Sequence, residues 1–374
     1  MLMRSRIIRW GLLSMLLIVF TLDTAHAQRK RQNNFRKKNR VISRFTMKKQ
    51  PFPRSYQYTT VEFGLNAFNY FGDLAPTSRI ASTDLNFTRP GFSLSIKHKF
   101  GPQFFVRSNF AWGRLQGDDY ASANPNDENS IYRYIRNLHF RNDIKELNLV
   151  GMITLFENRS WFSRRELFNP YLFGGVAVLH HNPKARVPET DYNGNPLSNA
   201  GEWVALQPLG TEGQYSDEVD IKPYSTIQLA IPVGAGVSLK INNRVDMAFE
   251  IGYRYLFFDY IDDVSGNYVD KGKLNDPLAK VLSDRSVETV AAISGEERDF
   301  EAMQQVARLH TYTGTDGQTY HTFYGYGHEN GGGALNIRGN PNNNDIYVVT
   351  TLRLSYILGG GNKRKSGGRL LDFR

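Results

Sequence analysis

The chain has 374 residues, no cysteine and a formal charge of +10. Without cysteine there is no disulfide, thiol nucleophile or lipid-modified cysteine, so packing or sheet closure must hold the fold together. A mean hydropathy of −0.45 argues against a helical membrane protein. Arg4, Arg6 and Arg9 open the chain, an apolar run follows at 10–22, and Ala25-His26-Ala27 supplies small residues. That is the three-part layout of a secretory signal peptide over residues 1–27. The run is shorter than the roughly 17–25 residues a membrane helix needs, so a cleaved leader is favoured over a retained anchor.

Residues 28–50 carry ten Lys or Arg and no acid, among them Arg29, Lys30, Arg31, Arg36, Lys37 and Lys38. Subtracting that +10 and the leader's +2 from the total leaves 51–374 at −2. The basicity is an appendage, with too little apolar surface to order itself. It reads either as a solvated tail touching anionic lipid or as a docking arm for an acidic periplasmic partner. Nucleic acid is not an expected partner of an exported chain. A weaker basic tail ends the chain at 359–374, with Lys363, Arg364, Lys365 and Arg369 among glycines.

Eight stretches between the tails alternate apolar with polar or small residues, near 56–70, 91–100, 104–115, 144–156, 171–180, 226–240, 244–258 and 346–358. Connections alternate short and long, as in bacterial outer-membrane barrels, whose strand number is even. The spacing predicts an all-β fold over 51–358: an eight-stranded antiparallel transmembrane outer-membrane β-barrel with long extracellular loops. Both termini are then periplasmic, as is a basic turn holding Arg159, Arg164 and Arg165.

Phe92, Leu94, Ile96, Ile227, Leu229, Ile231, Val233, Val237 and Leu239 are expected to face lipid, with Val245, Met247, Phe249, Ile251, Tyr253 and Tyr255. Val348, Leu352, Leu354 and Tyr356 continue the band. Inward point Glu62, Lys97, Arg107, Glu146, Asp246, Glu250, Arg254 and Arg353. An eight-stranded interior is just wide enough for side chains to fill, so these charges are expected to pair into a rigid plug. A large pore is excluded. Pro232 cannot donate to a ladder, so a bulge or irregular pairing is expected there.

The two large outer loops fall at 181–223 and 259–345. The second is too long for a plain connection. Asp276-Pro277 and Ser286-Val287-Glu288 look like helix starts, and 296–309 has helical apolar spacing.

Several segments resemble a Bacteroidota family of outer-membrane barrels that includes PorG of the type 9 secretion system. They are Glu62-Phe63-Gly64, Asn69-Tyr70-Phe71-Gly72-Asp73-Leu74, Phe168-Asn169-Pro170-Tyr171-Leu172-Phe173-Gly174-Gly175, Ile231-Pro232-Val233-Gly234-Ala235-Gly236 and Glu250-Ile251-Gly252-Tyr253-Arg254. Asp259-Tyr260-Ile261-Asp262-Asp263-Val264-Ser265-Gly266-Asn267-Tyr268 is the most specific. Ser283-Asp284-Arg285-Ser286 and Arg338-Gly339-Asn340-Pro341-Asn342-Asn343-Asn344-Asp345 complete the set. The resemblance implies a small barrel and, for PorG-like members, attachment of a periplasmic PorK–PorN ring to the outer membrane. This chain differs from shorter members in its basic tail and its longer third and fourth outer loops.

Asp259, Asp262 and Asp263 could hold Ca²⁺, or could clamp turns and pair with Arg285 or Arg338. The clamp is favoured, so Asp73, Asp259, Asp262, Asp263, Arg285 and Arg338 are read as a structural motif, with no metal and no cofactor. His180 and His181 at the same rim could pair with an aspartate for general-base hydrolysis, but nothing fixes their separation. No catalytic residue is assigned. The expected function is a non-enzymatic barrel anchoring a periplasmic secretion assembly, with Arg29, Lys30, Arg31, Arg36, Lys37, Lys38, Arg164 and Arg165 as partner contacts. The alternative is a surface-binding barrel using its outer loops.

Overall fold

Val245–Leu256 alternates exposed and buried side chains along its whole length, the period-two signature of a strand with different media on its two faces. Seven further strands do the same. A computed structural model describes residues 52–74, 87–128, 130–327 and 336–358. The leader, the tail at 28–50 with its six named basic residues, and the tail at 359–374 lie outside them. In chain order the strands are β1 (Tyr58–Phe71), β2 (Arg89–Lys99), β3 (Phe104–Asp118), β4 (His139–Thr154), β5 (Phe168–His180), β6 (Pro183–Arg186), β7 (Trp203–Ala205), β8 (Ile227–Lys240), β9 (Val245–Leu256), β10 (Leu309–Thr313), β11 (Thr319–Phe323) and β12 (Ile346–Leu358).

β3, β2, β1, β12, β9, β8, β5 and β4 pair in that order, and β3 with β4 closes the ring. All eight pairings are antiparallel. The register fixes the barrel's shape. From Thr59 it runs through His98, Val106, Gly151, Gly174, Val233, Tyr253 and Val348 and returns to β1 at Asn69, ten residues further along. Such a stagger tilts the strands by about 35–45° around an interior that side chains can fill.

The outward faces form an apolar belt in which Leu65, Ile96, Leu147, Leu172, Leu229 and Leu354 are all more than half exposed. Soluble monomers rarely carry a contiguous apolar surface of this extent; it suits hydrocarbon. Aromatic side chains sit at both ends of the strands, Phe100, Phe104 and Phe168 at one and Tyr255 and Phe257 at the other, as membrane barrels arrange them.

The interior is filled. Val150, Met152, Tyr171, Phe173 and Ala248 pack with Phe105 toward the short-turn end. Phe68, Tyr70, Leu115, Phe140, Ile144, Leu179, Leu256 and Tyr347 form an apolar plug toward the long loops. Gly113 is needed there, because a Cβ at that position would strike the Phe68 ring.

Some sequence expectations are corrected. β4 starts at His139 rather than near 144, because it continues beyond the belt to pair with β3 at Asp118 and with β6 at Lys184. Pro232 gives the irregular pairing expected of it, without a bulge: the β5–β8 register is the same on either side, but the pairs opposite Ile231 and Pro232 are missing. The ladder loses contacts there while keeping its phase. Among the described residues the outer loops hold four short helices, α1 (Asp119–Ser122), α2 (Ile131–Arg136), α3 (Pro277–Ser283) and α4 (Phe300–Val306). Asp276 caps α3, its carboxylate accepting from Leu278 N at 2.7 Å. No helix starts at Ser286: Asp284 accepts from its backbone N–H at 2.9 Å, making a turn. After α4 the chain forms a hairpin, β10 with β11.

Candidate functional site

Three regions position functional side chains: the lumen, the cap of outer loops and the short-turn rim. In the lumen, strand alternation turns Glu62, Arg107, Glu146, Glu250, Arg254 and Arg353 inward, each under 10% exposed. Glu250 accepts from both terminal nitrogens of Arg107, one at 3.1 Å, together with Arg353 at 3.2 Å and the Tyr171 hydroxyl at 2.6 Å. Glu62 takes Lys97 at 2.5 Å and Ser355 at 2.9 Å, with Arg107 and Arg353 within 4 Å. Higher up, Glu146 holds Arg254 at 3.1 Å and accepts from Tyr347 at 2.6 Å. Charges this deep survive only when paired, and here they knit strands together across the bore.

The cap centres on the chain leaving β9. Asp263 takes a left-handed φ of 68°. Its carboxylate accepts from Thr211 at 2.5 Å and Tyr224 at 2.6 Å, while its carbonyl accepts from Arg338 at 2.5 Å. Glu212 accepts from Arg338 at 2.8 Å and from the N–H groups of Ser265 and Gly266. Arg136 grips Asp119 through two bonds of 2.7 and 2.8 Å and donates to the carbonyls of Asp73 and Arg338. The Asp73 carboxylate accepts from Asn340 N at 2.8 Å. Loops one, two, three and four thus meet at one buried knot.

A second acidic group lies beside it. The Tyr70 hydroxyl is 2.6 Å from Asp262 and 2.8 Å from Asp345. Asp345 also accepts from Ile261 N, and Asp262 from Val264 N. Asp259 is buried, 6% exposed. Burial pushes its carboxyl up to about 7, Asp73 and Glu212 adding to the rise and the Ser265 hydroxyl opposing it. Burial also pushes Asp262 and Asp345 well above the carboxylate range, reinforced by neighbouring carboxylates. Asp263 rises less, to about 6, because Arg338 opposes its desolvation.

Of the residues read as a motif, Asp73, Asp259, Asp262, Asp263 and Arg338 come together. Arg285 does not pair with them: it binds Glu288 at 2.6 and 2.7 Å and donates to the Arg186 carbonyl. His181 lies between Tyr224 and Phe258, with Nε2 3.0 Å from the Ser225 carbonyl. Burial lowers it to about 4, and its neighbours are aromatic rings rather than an aspartate. His180 is exposed. Among the described residues no three acidic or imidazole groups are disposed to hold a metal ion. Reading residues singly missed Glu212, Asp119, Arg136, Tyr70 and Asp345. Tyr70 and Asp345 sit within two resembling segments, which was their one signal.

At the short-turn rim Arg164 is exposed. Arg165 is not free: it pairs with Asp246 at 2.6 Å and donates to the carbonyls of Asn242 and Asn243, locking two turns together. On the long-loop face of the described residues, a cavity of about 1300 Å³ is lined by Tyr132, Arg136, His310, Tyr324, Tyr326 and Arg338 among others.

Fold and site together define a closed eight-stranded antiparallel barrel with a plugged bore and a knotted cap. Residues 50–198 match a family model described as a domain of unknown function, DUF6089. No curated protein matches the chain. Among solved structures it is similar to a major outer membrane protein from Thermus thermophilus, 9% identical over 80% of this chain and 99% of that one, TM-score 0.34. It is also similar to Ail, the attachment invasion locus protein of Yersinia pestis, at 8% identity over 81% and 99%, TM-score 0.32. A third is OprG of Pseudomonas aeruginosa, at 10% over 80% and 96%, TM-score 0.31. At such scores these likenesses carry no argument; the fold rests on the strand pairing.

Proposed function

We propose that the chain is a non-enzymatic outer-membrane barrel that anchors a periplasmic protein-secretion assembly of the type 9 class. The filled bore carries this reading. With Glu62, Glu250, Arg107 and Arg353 cross-linking its walls, the barrel offers no conduit and serves as an embedded post. The type 9 partner, a PorK–PorN-like ring, comes from the segment resemblance, and the two tails and exposed Arg164 are the contacts proposed for it. Crosslinking in intact cells with mass spectrometry tests this. Periplasmic ring proteins should be captured, and less so after deletion of 28–50 or Arg164→Glu; capture of no periplasmic protein would contradict it. The cavity on the long-loop face favours a second reading, a surface-binding barrel, for which the same experiment would return extracellular or surface partners instead.

A further inference from the structure

We propose that Asp262, Tyr70 and Asp345 share one proton beyond the tyrosine's own, and that this proton latches the two ends of the fourth outer loop to the top of β1. Proton counting carries the argument. A tyrosine hydroxyl donates once, yet Tyr70 stands at 2.6 and 2.8 Å from two carboxyl oxygens. One contact uses the phenol's proton, and the other needs a proton on a carboxyl group. The remaining oxygens are fixed as acceptors, Asp345 from Ile261 N at 2.9 Å and Asp262 from Val264 N at 3.0 Å. The acid proton is therefore held on the side facing Tyr70.

Among the described residues no cation neutralises the pair. The facing charged groups are Asp73 from the first loop and Asp259 from the start of the fourth, both acidic. Arg136 is committed to Asp119, and Arg338 to Glu212 and the Asp263 carbonyl. Phe140 closes the β4 side, its ring 4.8 Å from that of Tyr70. Gly72 packs so close that a Cβ would collide with both the Tyr70 hydroxyl and Asp345. Residue 262 follows β9 and residue 345 precedes β12, so this one contact ties both ends of the cap to the rim. Below the pH at which the proton leaves, the cap is closed. Above it, two adjacent buried carboxylates repel and the loop ends part.

The experiment uses the full mature protein in detergent micelles, with heat-shifted gel migration confirming that the barrel is folded. Amide exchange of the segments around 257–266 and 336–345 is followed against pH. The cap should lose at least tenfold protection as pH rises past neutrality, while the belt strands stay protected. Asp345→Asn supplies the missing donor permanently, since its amide can accept from Ile261 and donate to Tyr70. That variant should keep protection at high pH. It should also remove one carboxylic-acid carbonyl band from the infrared pH-difference spectrum. A pH profile unchanged in Asp345→Asn, or no acid band at that position in the parent, overturns the proposal. So does high-pH protection restored by calcium chloride, which would assign the cluster to a cation.

Discussion

Glu250 accepts from Arg107, Arg353 and Tyr171 while almost wholly buried. Removing it strands two guanidinium groups in the bore, and breaking a buried pair costs about 3–5 kcal/mol. Glu250→Ala should lower the urea midpoint of the lipid-folded protein by a corresponding amount, with Glu250→Gln losing less because its amide oxygen still accepts. Asp259 gives a prediction of known sign. Its carboxyl titrates near 7 in the fold against about 3.9 in an unfolded chain. The folded cap therefore binds the extra proton between those values, and its stability falls as pH rises from about 4 to about 7. Limited proteolysis of the outer loops should quicken across that window, and Asp259→Asn should flatten the dependence.

At the level of elements, β9 was plain in the sequence because one strand carries its own test: six outward apolar side chains alternate with Asp246, Ala248, Glu250, Gly252 and Arg254. The inward charges could be named before their partners, since parity alone decides the face a residue takes. The cap was not legible in the same way. Glu212 and Arg338 meet across 126 positions, and no local pattern announces a contact that closes only once four loops fold together. The β10–β11 hairpin was missed although Asp316-Gly317 between two alternating runs is a turn signal. Arg165 was taken for a partner contact because a basic turn looks free until its carbonyl partners are in view. Pro232 leaves a gap on the β5 side of β8. Pro232→Val should restore a ladder bond of about 0.5–1.5 kcal/mol, seen as slower amide exchange at Gly175, the residue opposite it in the register.

For the whole molecule, the layered interior predicts electrical silence. Reconstituted in planar bilayers, the protein should show no stable single-channel steps; regular ion conductance would refute the plugged bore. Closure also explains how strands this long avoid edge-to-edge aggregation, because no β-edge is left unpaired in the ring. The absence of cysteine makes the most direct test of the embedded barrel simple to build. Spin labels at single cysteines along β9 can be compared for collisions with oxygen, which dissolves in lipid, and with a water-soluble nickel chelate. Met247→Cys, Phe249→Cys and Ile251→Cys should be oxygen-accessible and nickel-protected, whereas Ala248→Cys and Gly252→Cys should be inaccessible to both. A uniform response along the strand, or nickel access at 249, would contradict the account.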